Sequence, residues 1–197
     1  MNYNHLNLGI SEVLADKITL HKGIKDPKNH QAWHWELSAD DLHEDFVKIV
    51  DRLGLTVDSV WIFKTNHFNK KWPIHRDNRL HGVSLENHTD YPKLNWIYGD
   101  NSSYMIWYAL KNNVKLSTRT DLQDDASYFH YEDEDMVEIE RTIIKQAAIV
   151  QSGVPHSVLN TSDKNRWCVS IIFTKDNRHI GMEELVNLFN DYCIIVH

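Results

Sequence analysis

Two cysteines, Cys168 and Cys193, are all that this chain of 197 residues contains, and no C-x-x-C spacing joins them. Neither a disulfide framework nor a structural zinc site is therefore indicated, and both thiols read as small buried side chains. Glycines number seven and prolines four, and there is no internal repeat or low-complexity tract. Nowhere does the chain approach the roughly 18 to 20 consecutive apolar residues of a membrane span. The start, Met1-Asn2-Tyr3-Asn4-His5, lacks the basic-then-apolar pattern of a secretory signal. A soluble, cytoplasmic protein is expected, with no membrane partner. Cationic excess is missing too: 21 Lys and Arg face 28 Asp and Glu, a formal charge of −7. That balance disfavours nucleic acid, because phosphate binding needs clustered Lys and Arg.

What is present fits one domain over 1–197, large enough to bury a core without staples. Ser38, then Asp41, Leu42, Phe46, Ile49, Val50 and Leu53, with Gly54 as a stop, have the spacing and cap of a helix over roughly 39–53. The period then switches from 3.6 to 2. Val57 to Phe63 reads as a buried strand, and Leu94 to Tyr98 with Tyr104 to Leu110 flank a Gly-Asp-Asn-Ser-Ser turn as a hairpin candidate. Val114 to Thr118, Arg141 to Lys145, Ala147 to Gln151 and Trp167 to Thr174 are further strand candidates. After Gly181, Leu185, Leu188, Phe189 and Tyr192 fit a short closing helix. Many short strands behind one leading helix predict a mainly β fold with supporting helices, a sandwich or barrel.

Asp121 to Glu140 carries nine acidic residues and no Lys or Arg. The bland expectation is a solvated insertion held extended by self-repulsion, and the sharper one is a lid that favours cationic partners.

With thirteen histidines in the chain, an H-x-D triplet is cheap: about one is expected by chance and three occur. His43-Glu44-Asp45 falls within the expected helix, where residues two apart do not share a face. His88-Thr89-Asp90 lies in a polar stretch before Tyr91-Pro92. His75-Arg76-Asp77 follows Trp72-Pro73-Ile74, and in an extended strand its outer members share a face, so His75 and Asp77 can point inward together. Further on, Gly153-Val154-Pro155-His156 turns out of the Ala147 to Gln151 strand. Ten residues later Arg166 opens a run whose parity puts Cys168, Ser170 and Ile172 on the arginine's face and Trp167, Val169, Ile171 and Phe173 on the other. A cation heading an interior face must be paired, either by an internal carboxylate or by a bound anion.

In their order these residues resemble the iron(II)- and 2-oxoglutarate-dependent oxygenases, which carry H-x-D, a distant H, and an Arg or Lys roughly ten residues later. The resemblance spans roughly 57–174. It implies a double-stranded β-helix, a cupin-like jelly-roll barrel, with 1–56 as helical support, 121–140 as an acidic insertion and 175–197 as a closing helix and tail. It further implies that His75, Asp77 and His156 ligate Fe(II) as the catalytic metal site, and that Arg166 binds the far carboxylate of 2-oxoglutarate. Ser170 and Asn95 would then be further cofactor contacts, Asn95 through the core strand Leu94-Asn95-Trp96. Cys168 departs from the Arg-x-Ser form common in the family, leaving Ser170 as the nearest hydroxyl. Asp77, rather than the Gly or Ala of related halogenases, favours hydroxylation with O2 consumed and succinate and CO2 released. An amino acid, a protein side chain or a small metabolite is the implied substrate. Arg76 and Arg79 are candidate contacts for an anionic one. The alternatives are a non-catalytic cupin-like metal-binding or protein-interaction module and a metal-dependent isomerase that needs no Arg166.

Overall fold

The computed structural model describes residues 1–15, 34–65, 71–78, 89–112, 119–123 and 126–194. The strand candidate Val114 to Thr118, His88 and Arg79 lie outside them. In chain order the described strands are β1 (Tyr3–Leu6), β2 (His34–Leu37), β3 (Thr56–Thr65), β4 (Ile74–Asn78), β5 (Pro92–Gly99), β6 (Tyr104–Leu110), β7 (Arg119–Gln123), β8 (Ala126–Tyr131), β9 (Met136–Ile143), β10 (Ala147–Gln151), β11 (His156–Leu159), β12 (Arg166–Lys175) and β13 (Arg178–His179). The helices are α1 (Glu44–Arg52) and α2 (Met182–Leu188).

Alternation along β12 explains the architecture, because both of its faces are covered. Trp167, Val169, Ile171 and Phe173 pack with Phe46, Ile49 and Val50 of α1 and with Leu185 of α2. Cys168, on the other face, packs with Ile97, Ala148 and Val150 of its own sheet and with Met105 and Trp107 of β6. The chain thus forms two facing antiparallel sheets with helices on the outer face of the first. The first runs β1-β10-β5-β12-β3-β2, with β13 on β12, and the second β7-β8-β4-β11-β6-β9. Both sheets are open, and among the described residues no strand ladder closes them into the expected barrel. Four ladders are nested: β3 with β12, β4 with β11, β5 with β10, and β6 with β9. No described helix is long and apolar enough to cross a membrane.

Local chemistry changes four expectations. The helix over 39–53 is broken in two: Ser38 caps a 3-10 turn at Ala39–Asp41, Leu42 is extended, and α1 starts afresh at Glu44. The break satisfies the backbone of 13–15, since His43 N donates to Val13 O at 2.8 Å and Ala15 N to Asp41 O at 2.8 Å. Gly54, at φ +66, ends α1 as expected. The first 56 residues also supply β1 and β2, so their support is not helical alone.

β5 and β6 are not a hairpin, because each pairs within a different sheet. Gly99, at φ +78, makes the crossing: a Cβ there would lie 2.4 Å from Asn165 O, so only glycine lets the two connections pass this closely. Nor is the acidic segment a loop: its described residues contribute β7, β8 and the start of β9 to the second sheet, with Glu132, Asp133, Glu134 and Glu138 exposed to solvent. Its charges from Glu132 to Glu140 are tolerated along a turn and an edge strand, where Glu138 pairs with Arg141, Glu140 accepts from Asn2 N at 3.0 Å, and Asp133 pairs with Lys71.

Candidate metal centre between the sheets

β4 lies between β8 and β11, and this neighbourhood builds the site. His75 is in register with His156 on one side and His130 on the other, and His156 is in register with Trp107 of β6. Paired residues of adjacent strands share a face, and Trp107 belongs to the apolar cluster between the sheets. His75, Asp77 and His156 therefore point toward the first sheet. Their ligand atoms all lie within 4.8 Å of one another, the one such group among the described residues.

Hydrogen bonds set which atoms can meet an ion. His75 Nδ1 lies 2.9 Å from Pro73 O and His156 Nδ1 2.9 Å from Val154 O. A carbonyl only accepts, so both Nδ1 atoms donate, and in each neutral ring Nε2 then carries the lone pair. His75 Nε2 is 3.7 Å from Asp77 Oδ1. Burial and then the His75 charge push the His156 imidazole down to about 4, so it is neutral at physiological pH. Burial opposes ionisation of Asp77, but Lys93 and the two imidazoles outweigh it and hold the carboxyl well below the usual range. Two imidazoles that present Nε2 and one carboxylate are the donor set of a facial triad suited to ferrous iron, so the residues fit such an ion.

The described members of the rival triplets have other partners. His43 caps α1, accepting from Asp45 N at 3.2 Å, and Asp45 pairs with Lys48 at 2.9 Å. Asp90 anchors α2, accepting from Met182 N at 2.7 Å and from Gln151 Nε2 at 2.8 Å. Arg76 is next to two ligands in sequence but on the opposite face of β4, so it does not look into the intersheet space.

The facing sheet supplies the other candidates. Ser170 and Asn95 are register partners on β12 and β5, and Ser170 Oγ donates to Asn95 Oδ1 at 2.8 Å. The hydroxyl proton is thereby committed, and the donor this pair can offer a ligand is the Asn95 amide nitrogen. Arg166 opens β12 on the same inward face, 4% exposed. Among the described residues no carboxylate lies within ion-pair distance of it, and its Nε has no hydrogen-bond partner. Burial lowers its pKa from the usual arginine value, while Cys168 and Asp100 pull the other way. The alternative of an internal salt bridge is thus not realised among these residues.

Sequence reasoning missed two residues. Lys93 sits on β5, 7% exposed, and its Nζ donates to Asp77 Oδ2 at 2.6 Å. The signal was the alternation Lys93, Asn95, Ile97 against Leu94, Trp96, Tyr98, which puts the lysine on the inward face. Asn160, just past β11 and fully buried, accepts at Oδ1 from Ser103 Oγ at 3.1 Å and Ser162 N at 3.2 Å, leaving its Nδ2 without a partner. No sequence pattern announced it. Neither protein-family models nor curated proteins give a match to this chain.

Proposed function

We propose that the protein is an iron(II)- and 2-oxoglutarate-dependent oxygenase built on a double-stranded β-helix. Four nested antiparallel ladders divided between two facing sheets support the jelly-roll reading. The observation that carries the functional reading is Arg166: a buried guanidinium with no carboxylate of the described residues at ion-pair distance, on the sheet that faces the triad. Burying such a charge is costly unless an anion meets it, and a bidentate carboxylate is its natural partner. A cupin-type isomerase or a binding module shares the triad but has no use for that cation.

His75, Asp77 and His156 would hold the ion, and Arg166 the far carboxylate of 2-oxoglutarate. A ferrous ion bound there supplies the redox chemistry with O2. The chain's own contribution is orientation and dryness. Pro73 O and Val154 O fix the two rings, and Asn95 offers a donor within the same space. Trp107, Met105 and Ile97 exclude water around it. The proposed product is a hydroxylated amino acid, protein side chain or small metabolite, with succinate and CO2 released.

Anaerobic protein with ferrous iron and 2-oxoglutarate should give a weak visible charge-transfer band, and turnover should form succinate. His75→Ala, Asp77→Ala and His156→Ala should each abolish both. Full turnover in any one of them removes that residue from the ligand set, and a wild type that binds zinc tightly but gives no band points to the binding module.

A further inference from the structure

A neighbour holds each of the three ligand side chains, but these neighbours differ in kind. Backbone carbonyls hold the two imidazoles, and a buried ammonium, Lys93 Nζ, holds the carboxylate. The difference matters because the two oxygens of a carboxylate are equivalent and can bind an ion singly or together. In Asp77 they are made unequal. Oδ1 faces His75 Nε2 at 3.7 Å, whereas Oδ2 is 2.6 Å from Lys93 Nζ. Lys93 reaches across from β5 in the opposite sheet, and its ammonium lies 5.5 Å from the centre of the Tyr91 ring. A lysine kept for stability alone is a weak explanation, since buried ion pairs are commonly replaced by apolar side chains at no loss. A lysine beside a metal site also repels the ion.

We propose that Lys93 is a positioning residue that reserves Oδ2 of Asp77. The ion is then held by Oδ1 alone, one more coordination position stays open to small ligands, and a fixed positive charge beside the ion favours anionic ones. The inference rests on the triad being a metal site, though not on the identity of the co-substrate.

The test uses Mn(II) alone with the full chain. Affinity is read from the EPR signal of free Mn(II), and bound waters from proton relaxation. With the cation gone and both carboxylate oxygens available, Lys93→Met should bind Mn(II) about tenfold more tightly and hold one fewer exchangeable water. Lys93→Arg, which keeps charge and donor, should match wild type in both. A merely structural lysine gives the opposite sign, weaker binding on removal. Equal or weaker Mn(II) affinity in Lys93→Met with an unchanged water number overturns the proposal. If Lys93→Met does not fold, Lys93→Gln decides it: its affinity must also rise, and equal or weaker binding overturns the proposal. Failure of the underlying metal-site reading looks different, since wild type and His156→Ala would then bind Mn(II) alike.

Discussion

Replacing Arg166 with methionine should make the ligand-free protein more stable and the co-substrate complex much weaker. The stem stays packed while the guanidinium, buried with no carboxylate of the described residues at ion-pair distance, is removed. Exchange of buried ionic groups for apolar ones gains about 1–4 kcal/mol. Asp100 is near enough to favour the cation, so the lower half of that range applies, about 1–2 kcal/mol. For a chain of this length that is a rise of about 2–8 °C in Tm, measured by thermal unfolding in chelator. Binding moves the other way, because truncating one partner of a buried charge pair costs about 2–5 kcal/mol, a loss of about thirtyfold or more in 2-oxoglutarate affinity. Titrating the anaerobic ferrous protein with 2-oxoglutarate measures it. A lower Tm with unchanged affinity would show that Arg166 is a structural cation and refute the anchor role.

Two further outcomes follow from the packing. Between pH 6.5 and about 4 the unfolded metal-free chain takes up a proton at His156 that the folded chain refuses, since burial holds its imidazole down to about 4. This contribution is full above pH 6.5 and lost as pH falls through that window, about 3 kcal/mol in all. Urea unfolding across pH should show it and His156→Gln should flatten it; a flat wild-type profile contradicts the account. Gly181→Ala places a Cβ 2.2 Å from Asp90 Oδ2, a carboxylate already tied to Gln151 and Met182 N. It should cost about 1–3 kcal/mol by chemical denaturation, and Gly181→Ala with Asp90→Ala should not be additive.

The four residues of the resemblance were legible because their chemistry is carried by residue type and order. The structure brings His75, Asp77 and His156 together, and strand parity put Arg166, Cys168 and Ser170 on the inward face. What escaped was whatever depends on partners distant in sequence. Gly99 to Ser103 has the composition of a hairpin turn, and the same composition serves a chain leaving one sheet for the other. Only the burial of both faces of β5 from Pro92 to Ile97 distinguishes the cases. Nine carboxylates read as a solvated loop because charge reports exposure, which an edge strand and a turn provide as well as a loop does. Ser38 carries a true capping box, yet the helix breaks at Leu42 because the backbone of 13–15 claims its hydrogen bonds. Lys93 differs from an ordinary strand lysine only through Asp77, which lies opposite it on the other sheet and far from it in sequence.

The central place of β12, between β5 and β3, constrains how the chain reaches its native state. Until residues 166–175 are made, the first sheet exists only as two unjoined pieces, β2 with β3 and β1 with β10 and β5. Contacts spanning about half the chain or more must close late and at high entropic cost, so folding should be slow, and a ribosome-bound chain lacking this strand leaves two apolar strand edges open to misassembly. Because the same strand brings Arg166, the proposed anion anchor arrives with the final join, and on that proposal co-substrate would stabilise only the finished fold.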